Sequence, residues 1–111
     1  MAKEELSESG ASAAVEGVGY INNTAAEVIS QECYKLLDEG TNHLVLNMEK
    51  TRMINSVGIA IIIEVIEKVI EKGGSFGFCC LSPTVEKTLK IMGLFKIASA
   101  YATEEDALSQ A

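Results

Sequence analysis

Three features of this 111-residue chain predict an α/β domain. Short apolar runs, HLVLNM at 43–48 and FGFCCL at 76–81, have the length and character of strands buried on both faces. Longer segments between and around them place apolar residues at helical spacing. The connections are short, with no internal repeat and no linker long enough to divide the chain. Strands alternating with helices in this way imply one domain with a mixed, mostly parallel sheet, of about four to five strands with about four helices.

Residues 1–12 (MAKEELSESGAS) have little periodicity and read as a flexible tail, leaving 13–111 as the domain. A weak strand is expected around Ala13 to Ile21, followed by a turn at Asn22-Asn23. Thr24 and Glu27 have capping-box spacing, and Val28, Ile29, Cys33, Leu36 and Leu37 continue at helical period until Gly40 stops the helix. After the strand at 43–48, a second helix runs from Ser56 or Val57 to Lys72. Ile62, Ile63, Ile66, Val69 and Ile70 are expected inward, with Glu64, Glu67, Lys68, Glu71 and Lys72 in water. Gly73-Gly74 ends that helix.

The strand at 76–81 is followed by Ser82-Pro83, a cap followed by proline at the first helical position. Val85, Leu89 and Met92 give the third helix its stripe, and Gly93 closes it. Ile97 to Ala102 is the last expected strand. Thr103 then opens a short helix whose Glu104, Glu105 and Asp106 favour the positive end of the helix dipole.

Composition narrows the function. A net charge of −7 excludes a nucleic-acid surface, which needs clustered Lys and Arg, and disfavours an anionic membrane. No apolar run is long enough to span a bilayer, and MAKEELSESG has no signal-peptide core, so a cytoplasmic protein that meets another protein is expected. The cysteines, Cys33 and the pair Cys79-Cys80, lack metal-ligand spacing, and neighbours on a strand point to opposite faces. They read as small buried hydrophobes, with no metal site. His43, the only histidine, starts a buried strand and reads as structural rather than as a general base. Gly73-Gly74 and Gly77 form no phosphate-binding pattern, and no nucleophile–base set assembles. No enzyme activity and no cofactor are expected.

The anomaly is Val57 to Ile63, apolar on every side at the start of a helix that becomes amphipathic one turn later. Such an end is either enclosed by protein or shows an apolar face to a partner. Ile62 and Ile63 are expected in the core and Ile59 at least partly exposed. Gly58 costs about 1 kcal/mol relative to Ala in the first turn. Its place there implies close approach, either of a partner or of a neighbouring strand.

The run MINSVGIAIII, then KGGSFGFCCLSPTVEKTLKIMGLFKI and the tail ATEEDAL, resembles the STAS domain of anti-sigma factor antagonists. That family carries a hydrophobic-Asp-Ser-Ser-Gly-Leu signature at a strand-to-helix junction, and GYINNTAAEV resembles its first helix entry. The resemblance covers residues 17 to about 108. It implies a partner-switching module that binds a GHKL-type anti-sigma factor, itself a serine kinase, and is released when that kinase phosphorylates the signature serine. Ser56 falls on that position. The implied partner-binding residues are Asn22, Asn23, Asn55, Ser56, Val57, Gly58 and Ile59, with assembly into homo- or hetero-oligomers of STAS proteins left open.

Three positions depart from the family pattern: Asn55 and Asn22 stand for aspartates, and Val57 for a small residue. Two readings of Ser56 follow. It is a plain N-cap, or it is a phosphoacceptor at the centre of a binding face. The corresponding rival function is a non-phosphorylated scaffold subunit of a larger, stressosome-like assembly.

Overall fold

Alternate residues along the central strands are sorted onto two differently covered sheet faces. The computed structural model describes residues 2–7 and 10–109. In chain order the elements are β1 (Ala2–Ser7), β2 (Gly10–Glu16), β3 (Tyr20–Ile21), α1 (Asn23–Asp38), β4 (Thr41–Asn47) and β5 (Met53–Ile54). There follow α2 (Ser56–Glu71), β6 (Ser75–Cys79), α3 (Pro83–Ile91), a 3₁₀ turn (Leu94–Lys96), β7 (Ser99–Tyr101) and α4 (Glu104–Leu108). The main sheet has the order β1-β2-β4-β6-β7, all parallel except the antiparallel edge strand β1. β3 and β5 form a separate parallel pair. This is the mixed, mostly parallel architecture with four helices that the alternation predicts.

On one face Ala13, Val15, Leu44, Leu46, Phe76 and Phe78 pack with apolar residues of α1, α2 and α3 in one continuous core. On the other, Ala14, Val45 and Cys79 form a smaller cluster with Ala107 and Leu108 of α4, with Cys80 and Tyr101 packed against it. A five-residue helix does not hold itself together in water, so its place depends on these contacts. His43 adds a polar tie. Its Nε2–H donates to the Ala107 carbonyl at 2.8 Å, and Nδ1 meets the Ser75 hydroxyl. At 3% exposure with both ring nitrogens engaged, His43 is the structural residue that its place in a buried strand suggests.

The differences from expectation have local causes. Within the supposed tail, residues 2–7 form β1 and β2 already begins at Gly10; residues 1, 8 and 9 lie outside the described ones. Edge pairing is a backbone interaction and leaves little trace in composition. The strand expected over 13–21 is two, β2 and β3, separated at Gly17–Gly19. Asn22 and Asn23 are not a turn: Asn22 caps α1, accepting from the Ala25 amide at 2.9 Å, which displaces the Thr24–Glu27 capping box. Val28, Ile70 and Met92 are exposed and Ile63 half-buried, while Val65 is core, because each helix presents a single stripe to the sheet. The last strand is shortened to 99–101 by the 3₁₀ turn. Cys79 and Cys80 do not face opposite ways. Cys80 has φ +62°, and both side chains lie against the α4 cluster.

The largest correction concerns Ile59, which is 4% exposed and part of the core, with Ile62, Val65, Ile66 and Val69. Ile59→Asp is therefore expected to destabilise the domain by several kcal/mol, the cost of an unpaired buried charge. Urea denaturation checks this: an unchanged midpoint would mean that Ile59 reaches solvent.

Candidate functional site

Two strand–Asn–helix units lie side by side. β3 leads through Asn22 into α1, and β5 leads through Asn55 into α2. The strands are hydrogen-bonded in parallel, with Tyr20 opposite Met53 and Ile21 opposite Ile54. Adjacent strands stand about 4.8 Å apart, so the two helix N-termini open on the same rim. Both caps are asparagines, neutral acceptors suited to an orphan helix amide. Neither helix has an acid in its first turn, so the positive ends of both dipoles stay uncompensated locally.

The Asn55 side-chain oxygen accepts from the Gly58 amide at 2.7 Å, and the Asn55 backbone N–H donates to the Ile21 carbonyl at 3.1 Å. A Cβ at position 58 would lie 2.7 Å from that carbonyl oxygen and 3.1 Å from Asn55 Oδ1. Of the two explanations for glycine here, close packing against a neighbouring strand is the one observed. Asn55, not Ser56, is the N-cap. Ser56 occupies the first helical position, is exposed, and forms no side-chain hydrogen bond among the described residues.

The rim around Ser56 is apolar in a way the sequence did not signal. Val57 is 51% exposed, Met53 60%, and Tyr20 and Val18 47% each. Each two-residue strand turns one side chain out (Tyr20, Met53) and one into the core (Ile21, Ile54). An alternation of two residues is too short to read as a period. Of the residues expected at the site, Asn22, Asn23, Asn55, Ser56 and Val57 gather at this rim with solvent access, whereas Gly58 and Ile59 lie beneath it. Close by, Lys50 pairs with Glu16 at 3.0 Å, and the lysine holds the Glu16 carboxyl below its ordinary range.

Elsewhere, no group of three or more His, Cys, Asp or Glu among the described residues is arranged to hold a metal ion. No helix among them is long and apolar enough to cross a membrane. Burial pushes the Cys33 thiol up to about 12, which removes it from thiolate chemistry near neutral pH.

Comparison with known proteins bears on the family and the fold. A family model described as the STAS domain matches residues 7–107. The anti-sigma F factor antagonist of Paenibacillus polymyxa is 32% identical over 68 residues, covering 61% of this chain and 58% of that protein, less than two thirds of its length. The crystal structure of an anti-sigma factor antagonist from Mycobacterium paratuberculosis shares the fold with a TM-score of 0.73, at 24% identity over 97% of this chain and 90% of that one. So does the Bacillus cell fate determinant SpoIIAA in its phosphorylated form, with a TM-score of 0.69 at 20% identity and 96% coverage of both chains. With nearly its whole length matched by the family model, its sheet order and its helix entries in place, this chain belongs to the STAS domain family.

Proposed function

We propose that this protein is a regulatory binding module of the anti-sigma factor antagonist type. It binds a kinase-type anti-sigma factor through the rim around Ser56, and phosphorylation of Ser56 ends the binding. The observation that carries this reading is the division of labour at the α2 start. Asn55 does the capping, so the Ser56 hydroxyl is exposed and has no structural duty. An alcohol so placed is accessible to a kinase, and its phosphorylation would break no side-chain hydrogen bond among the described residues.

The electrostatics support a switch. A phosphate on Ser56 brings about −1.5 to −2 charge. In the free protein it would lie at the N-terminus of α2, beside that of α1, where uncompensated amide dipoles favour an anion. In the complex the same charge would stand among Val18, Tyr20, Met53 and Val57, the apolar side chains offered to the partner, and its desolvation would oppose binding. Gly58 and Ile59 serve this site indirectly, by fixing α2 against Ile21 and the core. The partner supplies the nucleotide and the base; this chain supplies the acceptor oxygen.

The scaffold reading is favoured by one observation, Asn55 in place of an acid. Its Oδ1 is committed to the Gly58 amide, and an amide cannot take up a proton. Transfer to Ser56 is therefore expected to be slow.

Ser56→Asp should weaken binding to an anti-sigma kinase by at least about tenfold, roughly 1.4 kcal/mol, while Ser56→Ala keeps the affinity and both retain the natural melting temperature. Titration calorimetry decides it, and equal affinities for the two variants would remove Ser56 from the interface. Asn55→Asp, which preserves the cap, should be phosphorylated faster than the natural protein in an assay with radiolabelled ATP. Labelling of neither protein, with binding intact, would favour the scaffold.

A further inference from the structure

Away from Ser56, the end of β6 carries an arrangement of thiols that the proposed partner switching does not use. Successive residues of a strand normally point to opposite faces. Cys80, the first residue past β6, departs from this alternation: it is the one non-glycine residue with positive φ among the described residues. A left-handed conformation costs an L-residue about 1–2 kcal/mol, and such strain concentrates at functional positions. The Cys80 side chain packs against the same cluster that holds Cys79, the one built with Ala14, Val45, Ala107 and Leu108. Both thiols are free. Cys79 is buried, whereas Cys80 is half-buried and lines a cavity of about 480 Å³ with Leu81, Glu86, Ala100, Tyr101 and Ala102. That volume is in the range of small-molecule sites.

We propose that Cys79 and Cys80 are a covalent-modification site, a vicinal dithiol that a low-molecular-weight disulfide oxidises to a Cys79–Cys80 disulfide. The accessible Cys80 thiolate attacks one sulfur of the small disulfide. Its S–S bond breaks, one small thiolate leaves, and a mixed disulfide on Cys80 remains in the cavity. The Cys79 thiolate then attacks the Cys80 sulfur and expels the second small thiolate. The protein loses two electrons and two protons, and the small disulfide is reduced to two thiols that take them up.

Two physical features set the behaviour of this site. Burial, and then the adjacent Cys80 thiol, raise the pKa of Cys79, so ring closure is the slow step and accelerates with pH. Neighbouring Cα atoms are about 3.8 Å apart, below the roughly 4.4–6.8 Å of ordinary disulfides. The closed ring is therefore strained and easily reduced, as labile disulfides are. Cys33, isolated in the main core, takes no part. None of this depends on the role given to Ser56.

The test is intact-mass and peptide mapping of the folded protein after incubation with oxidised glutathione. The expected end product is lighter by two hydrogen atoms, with the link between Cys79 and Cys80, and is restored by dithiothreitol. A glutathione adduct on Cys80 should precede it and decay faster at about pH 9 than at about pH 7. Cys79→Ser should stop at the adduct, Cys80→Ser should give neither species, and Cys33→Ser should behave as the natural chain. A natural protein that stays unmodified, or that ends as a stable adduct without the ring, overturns the proposal. So does a Cys80→Ser variant that oxidises like the natural chain. These two proteins decide the matter even if Cys79→Ser fails to fold.

Discussion

The carbonyl oxygen of Ile21 is where the two halves of the rim are joined. It accepts the Asn55 amide at 3.1 Å and leaves no room for a Cβ at position 58. β3 is thereby paired with β5, and the first turn of α2 is drawn against β3 closely enough that only glycine fits. With α2 fixed there, its stripe Ile59, Ile62, Val65, Ile66 and Val69 falls onto the core, and Val57 and Ser56 are left outside. Any larger residue at 58 would displace the helix start from Ile21, an overpacking that typically costs about 1–3 kcal/mol. The exposure of Ser56 is thus a consequence of packing below it.

The unequal covering of the sheet matters in a different way. Three helices build the main core, while the opposite face relies on the two apolar residues of α4 and on polar ties to it. His43 holds the Ala107 carbonyl, and Asn47 donates to Glu104 at 3.0 Å. The Cys79-Cys80 pair lies at the edge of this thinner layer, and Ser56 opens on the same carboxyl-terminal rim of the parallel strands. Open α/β sheets commonly place their sites there, because helix N-termini and loops converge at that end. Binding and thiol chemistry on this chain would share a rim without sharing residues.

Much of this was legible in the sequence. The buried strands at 43–48 and 76–81, the helices and the Ser82-Pro83 cap all follow from period and turn chemistry. Where structure and sequence pattern part, the causes are physical. An all-apolar turn does not say which side faces the core, so partial exposure of Ile59 is the reading it suggests; its burial depends on the position of β3, a partner distant in sequence. Threonine with a following glutamate is a strong local capping pattern at Thr24, yet with Asn22 extended it is the Asn22 side chain that takes the helix amide. The rim residues Val18, Tyr20 and Met53 had no periodic signal at all. The shared direction of Cys79 and Cys80 depends on one positive φ, which no residue type other than glycine announces.

If the paired helix starts form the proposed partner face, binding must shield them and leave the other faces open. Hydrogen–deuterium exchange of this chain, free and bound to a kinase-type anti-sigma factor, tests it most directly. Added protection is expected in residues 18–25 and 53–60, with the rest of the chain unchanged. Protection confined to α3 and β7, with the segment around Ser56 exchanging as in the free protein, would contradict it.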